Sequence, residues 1–96
     1  MVRLQIAPVM DPTDEDTTSM DPHWVVVVHN DDINTMEYVI YVFKKLLQVK
    51  QEEAYRLMMK VHEEGKAAVW AGPRERCEAI AASLHGWSIW ATIAKG

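Results

Sequence analysis

The run Trp24-Val-Val-Val-Val-His29 is followed at once by Asn30-Asp31-Asp32, so hydrogen-bond acceptors cluster where an apolar strand has to end. Further along, Met58 is followed by Val61 and His62 at helical spacing. A protonated amine has three donors and no acceptor. An amide oxygen (Asn30), a carboxylate (Asp32) and a neutral imidazole nitrogen (His62) would satisfy it. Val28, Met36, Val39, Met58 and Val61 would supply apolar walls beside them. Methionine suits a pocket that takes several shapes, because its thioether chain is flexible and polarizable. The ligand expected from these residues carries a cationic amine next to a hydrophobic side chain.

Strand alternation would send Val28, Asn30 and Asp32 to one side and His29 and Asp31 to the other. On the later segment Met58, Val61 and His62 share one helical face, since residues three and four apart are neighbours. Convergence of the two sets requires that helix to pack beside the end of the first strand. Simpler roles compete for the same residues. Asn-Asp-Asp after a strand is commonly a turn closed by its own side chains. A histidine near a helix C-terminus can serve the last carbonyls, and a Met/Val stripe can be plain core. A second chemistry is also open: His29, Asp31 and His62 imitate the two-histidine, one-carboxylate set of non-haem iron sites. Nucleophilic catalysis has little to work with, because Ser83 and Cys77 lie in a helical pattern without a nearby base. Glycine-rich phosphate loops are absent from the sequence.

Six elements must position these residues. Residues 24–29 form a continuous β-branched run and read as a buried strand. Asn34 is placed to cap a helix, with Glu37 at the reciprocal position of a capping box. Met36, Val39, Ile40, Phe43, Leu46 and Leu47 then recur with helical period. A second helix over about residues 51–64 turns Ala54, Leu57, Met58 and Val61 inward and stops at Gly65. Residues 66–70 form a short strand. Pro73 opens a third helix in its first turn, with Cys77, Ile80, Ala81 and Leu84 as its stripe and Gly86 as its end. Alternation of Trp87, Ile89, Ala91 and Ile93 marks a last strand. The order β-α-α-β-α-β predicts an α+β domain: a three-stranded antiparallel sheet with three helices packed on one face.

Composition narrows the function. The chain has 96 residues, enough for one small domain, and 49% of them are hydrophobic, so wholesale disorder is excluded. One cysteine permits no internal disulfide and points to a reducing compartment, with a cytoplasmic location expected. Residues 1–22 hold five acids against Arg3 alone and carry the whole net charge of −4; they read as a flexible acidic extension, leaving 23–96 as the core domain. The core balances its charges, so it offers no basic surface for nucleic acid. No stretch is long and apolar enough to span a bilayer, and the first residues lack a signal peptide's apolar core. No cofactor is expected.

The segments Val-Val-Val-His-Asn-Asp-Asp-Ile-Asn-Thr-Met-Glu-Tyr-Val, ending at Val39, and Ala54-Tyr-Arg-Leu-Met-Met-Lys-Val-His-Glu-Glu-Gly-Lys-Ala67 resemble the ClpS family, the bacterial adaptors that recognise N-terminal degradation signals (N-degrons). The match runs from about Trp24 to the C-terminus. Met-Glu-aromatic-Val combined with Met-x-x-Val-His-x-x-Gly-Lys-Ala is far more specific than either piece.

The resemblance implies a non-enzymatic adaptor. The substrate's α-amino group would be bound by Asn30, Asp32 and His62, with Asp31 close by. Its first side chain (Leu, Phe, Tyr or Trp) would enter a pocket of Val28, Asn34, Met36, Val39, Met58, Val61 and, by looser alignment, Ile89. The implied partner is the N-terminal domain of a ClpA- or ClpC-like AAA+ unfoldase, with Glu75 and Glu78 on the third helix as contacts. Many members carry Thr-Pro where this chain has Asn34-Thr35, which bears on the exact residue preference; Cys77 and Ile80 are also less typical. Two other readings stand beside this one: a small metal enzyme using His29, Asp31 and His62, and a protein-interaction module without N-terminal selectivity.

Overall fold

The computed structural model describes residues 23–96. The acidic extension expected over residues 1–22 lies outside the described residues.

The elements follow in the order β1 (Trp24–His29), α1 (Met36–Leu47), α2 (Gln51–Glu64), β2 (Lys66–Gly72), α3 (Arg74–Gly86) and β3 (Ala91–Lys95). The strands form one antiparallel sheet in the order β2-β1-β3. The most β-branched run thus becomes the central strand, where its side chains pack on both flanks. Val26 and Val28 point to the covered face and are almost fully buried, beside Ala67 and Ala91 from the neighbouring strands. Phe43 and Val42 of α1, Met58 and Val61 of α2, and Leu84 and Cys77 of α3 close over that face. The opposite face carries no helix among the described residues, and Val25, Val27 and His29 on it are half-buried.

Register along β1 shifts between Val26 and Val27: Val26 pairs with Trp70 and Val27 with Ala68, leaving Val69 as an extra residue. Such a bulge resets the alternation of the strand. Trp70 therefore lies on the helix side with Val26 and packs against the core. Its ring covers Gly72, where any side chain would collide with it.

The element ends differ in detail from the sequence reading. Thr35, not Asn34, caps α1: its hydroxyl accepts from the Tyr38 amide at 3.1 Å. The helix starts one residue later because Asn34 is engaged elsewhere. Pro73 stands just before α3 with extended ψ rather than inside its first turn. The last strand begins at Ala91 instead of 87, since Trp87 and Ser88 make the turn that closes α3. Val42, absent from the predicted stripe of α1, is fully buried, while Leu46 and Leu47 are only partly so. Gly65 does stop α2, in the left-handed region at φ 88°, with its amide on the Val61 carbonyl.

Candidate functional site

Three backbone decisions assemble the site at one end of the sheet. β1 stops at His29, whose amide donates to the Trp90 carbonyl at 2.9 Å. The next amide, of Asn30, donates to the Gly65 carbonyl, also at 2.9 Å. Gly65 lies three residues after His62, so the left-handed turn that ends α2 brings Asn30 and His62 to the same rim.

Asp31 shapes the loop that follows. One of its carboxylate oxygens accepts from the amides of Ile33 and Asn34, at 2.9 and 3.0 Å, and the side-chain amide of Asn34 reaches the other at 3.2 Å. The aspartate thereby caps the turn into α1. Asn34 also donates to the Ser88 carbonyl at 2.8 Å, and the Tyr38 hydroxyl donates to the Trp87 carbonyl at 2.6 Å. These two bonds fix the start of α1 against the segment that leads into β3 and carries Ile89.

The result is a cavity of about 290 Å³. Val28, Met58, Val61 and Ile89 form a buried apolar floor, and Val39 stands half-buried beside them. Asn30, Asp32 and His62 line it from exposed positions at the rim, and Met36, 41% exposed, stands over the mouth. Asp31 and Asn34 complete the wall. Every residue the sequence reading assigned to the amine and side-chain pocket borders this one cavity. Two more do so that it left out of that pocket: Thr35, which caps α1, and His29. The alternation rule placed His29 and Asp31 away from the pocket walls, but the strand ends at His29 and the loop beyond it curls back. Glu75 and Glu78 are remote from this cavity, on the exposed side of α3.

The alternative metal set does not assemble. Among the described residues no group of three His, Cys, Asp or Glu side chains is placed to hold an ion. The reason is local. The His29 ring stacks on Trp90 (centroids 4.5 Å apart) and its Nε2 lies 2.8 Å from the Thr92 hydroxyl, while the Asp31 carboxylate is occupied by the turn.

A small α+β domain with a greasy floor under a rim of amide, carboxylate and imidazole has the make-up of a ligand-binding module. A profile of the family described as ATP-dependent Clp protease adaptor protein ClpS matches residues 19–89. The ClpS adapter of Streptomyces coelicolor is 44% identical over 73 residues, covering 76% of this chain and 76% of that protein. The ClpS adapter of Mycobacterium tuberculosis is 47% identical over 73 residues, covering 76% and 72% respectively. In structure, the chain resembles Agrobacterium tumefaciens ClpS2 bound to L-phenylalaninamide, with a TM-score of 0.71 and 25% identity over 78% of this chain and 98% of that one. The chain belongs to the ClpS family. It is a non-catalytic adaptor of an ATP-dependent Clp protease and acts in protein degradation. No helix among the described residues is long and apolar enough to cross a membrane.

Proposed function

We propose that this adaptor captures proteins by their first residue, reading a free α-amino group and a bulky hydrophobic side chain together. The observation that carries the reading is the division of one cavity into an acceptor-lined rim and a buried apolar floor. Asn30, Asp32 and His62 take the three N–H donors of the amine, and Asp32 supplies the opposite charge. The side chain of Leu, Phe, Tyr or Trp descends between Met58, Val61, Val28, Val39 and Ile89. A volume of about 290 Å³ lies at the small end for ligand sites, which span about 300–1,000 Å³, and suits one residue rather than a long peptide. The related ClpS2 supports the same chemistry, because the L-phenylalaninamide bound to it has a free α-amine, a benzyl side chain and an amide where a chain would continue.

Acetylation of the first residue removes the charge and two donors. The rim acceptors covered by such a ligand would lose water without gaining partners, at about 1–3 kcal/mol per group. Delivery is a separate act. Glu75 and Glu78, on the exposed side of α3, are the proposed contacts for the N-terminal domain of a ClpA- or ClpC-like unfoldase. Glu78 is already paired with Arg74 at 3.0 Å, so Glu75 is the freer of the two. The segment 1–22 is proposed as an acidic extension preceding a core domain of residues 23–96.

Fluorescence anisotropy with a labelled Leu- or Phe-starting peptide and its acetylated twin tests the reading. Tight binding of the free peptide with loss of at least tenfold on acetylation is expected. Equal affinity for the two would overturn it.

A further inference from the structure

The open face of the sheet ends in an arrangement that capture of the first residue does not use. Trp90 is 55% exposed, on a face that no helix among the described residues covers. Its ring stacks on His29 with centroids 4.5 Å apart and planes 23° from parallel. The His29 ring is held in that plane by Thr92, whose hydroxyl lies 2.8 Å from Nε2. Backbone pairing of His29 with Trp90 at 2.9 Å sets the two rings side by side. Trp90 thus presents a large aromatic face half in water, fixed by its stack on His29, which Thr92 in turn orients.

Position gives the stack its meaning. His29 borders the cavity, and so does Ile89, the residue before Trp90. Ile89 turns inward to the floor, and Trp90, the next residue, turns to the open face. Trp90 does not itself line the cavity; it adjoins the cavity wall through its stack on His29 and its chain neighbour Ile89. A peptide whose amine is held at Asn30, Asp32 and His62 must leave the pocket across a lip. Its second Cα follows the first by 3.8 Å, so the second side chain emerges at that level.

We infer that Trp90, held by His29 and Thr92, is a platform for the second residue of the bound chain and favours an aromatic or large apolar side chain there. This deepens the first-residue reading and rests on it. Stacking on a rigid aromatic face adds a modest increment, so the platform grades substrates already captured by their first residue. A second-position Tyr should be preferred over Gly by about three- to tenfold.

The test uses the full chain and anisotropy of four labelled peptides, beginning Leu-Tyr and Leu-Gly, each with a free and an acetylated N-terminus. The expected result is a Leu-Tyr to Leu-Gly affinity ratio of about three to ten in the unaltered protein. The ratio should fall to near one in Trp90→Ala and remain above one in Trp90→Phe, which keeps an aromatic face. A ratio near one in the unaltered protein, or a ratio that persists in Trp90→Ala, overturns the platform. If free peptides outbind acetylated ones while the ratio is flat, only the platform falls. If acetylated and free peptides bind alike, the first-residue reading falls and the platform with it.

Discussion

The side-chain amide of Asn34 donates to the carbonyl of Ser88 across 2.8 Å, joining the start of α1 to the turn before β3 over 54 positions of sequence. Ser88 adopts φ 64°, a left-handed conformation that a non-glycine residue takes up only when its surroundings hold it there. The Tyr38–Trp87 bond lies alongside. Through this pair the helix that carries Met36 and Val39 and the segment that carries Ile89 become two walls of one cavity.

Asn34→Ala should remove the tie along with the amide's bond to Asp31. A loss of about 1–2 kcal/mol is expected, lowering the melting temperature by roughly 4–16 °C in a domain of this size. Peptide affinity should weaken at the same time, because the Ile89 wall is no longer registered against α1. An unchanged melting curve by circular dichroism would show the bond to be dispensable.

The neighbouring aspartates should separate cleanly. Asp31 is consumed by the turn, whereas Asp32 is exposed and pairs with no other described residue. Asp31→Ala should cost about 1–2 kcal/mol of stability, as loss of a turn cap does. Asp32→Asn should leave stability within about 0.5 kcal/mol, yet lower affinity for a free-amine peptide by roughly tenfold or more, since one charge-assisted bond is lost. Thermal unfolding and anisotropy on both variants decide the matter; the opposite assignment of effects would contradict it.

Met36 overhangs the mouth, and a β-branched first residue would crowd it at Cβ. Met36→Ala should therefore admit Ile- and Val-starting peptides, raising their affinity severalfold while that for Leu changes less. Continued exclusion of Ile by the variant would mean that another residue is the gate.

Capture and delivery should be separable. Glu75→Lys places a reversed charge on α3, far from the pocket, so peptide affinity should hold while Clp-dependent degradation of a Leu-starting substrate slows. Degradation at the original rate would remove Glu75 from the proposed contact.

Burial pushes the Cys77 thiol up, above its ordinary range, because the thiolate would be formed away from water. The sign follows: the folded state holds this proton more tightly than the unfolded chain, whose thiol titrates near about pH 8.5. The stability tied to the proton is complete below that pH and is lost as pH rises through the higher folded value. Cys77→Ala should accordingly show a shallower fall in melting temperature above about pH 8.5 than the unaltered protein does. Parallel curves for the two would refute this.

Much of the molecule is written in short-range pattern. The β-branched run of β1, the 3.6-residue stripes of α1 and α2, and Gly65 as a stop depend on neighbours within a few positions, where periodicity and backbone freedom decide alone. The hydrogen-bonding types that line the cavity rim were legible for the same reason, since Asn30, Asp32 and His62 announce their capacity by identity. Partnership over distance was not. Whether Asn34 or Thr35 caps α1 turned on Ser88, 54 residues away, which draws Asn34 off. Whether His29 and Asp31 join a metal site or a ring stack and a turn was decided by Trp90, Thr92 and the amides of the loop. Val69's insertion as a bulge, and with it the side on which Trp70 falls, came from pairing with β1. These outcomes are competitions between alternative partners for the same donors and acceptors, and only a closed fold sets the distances that decide them.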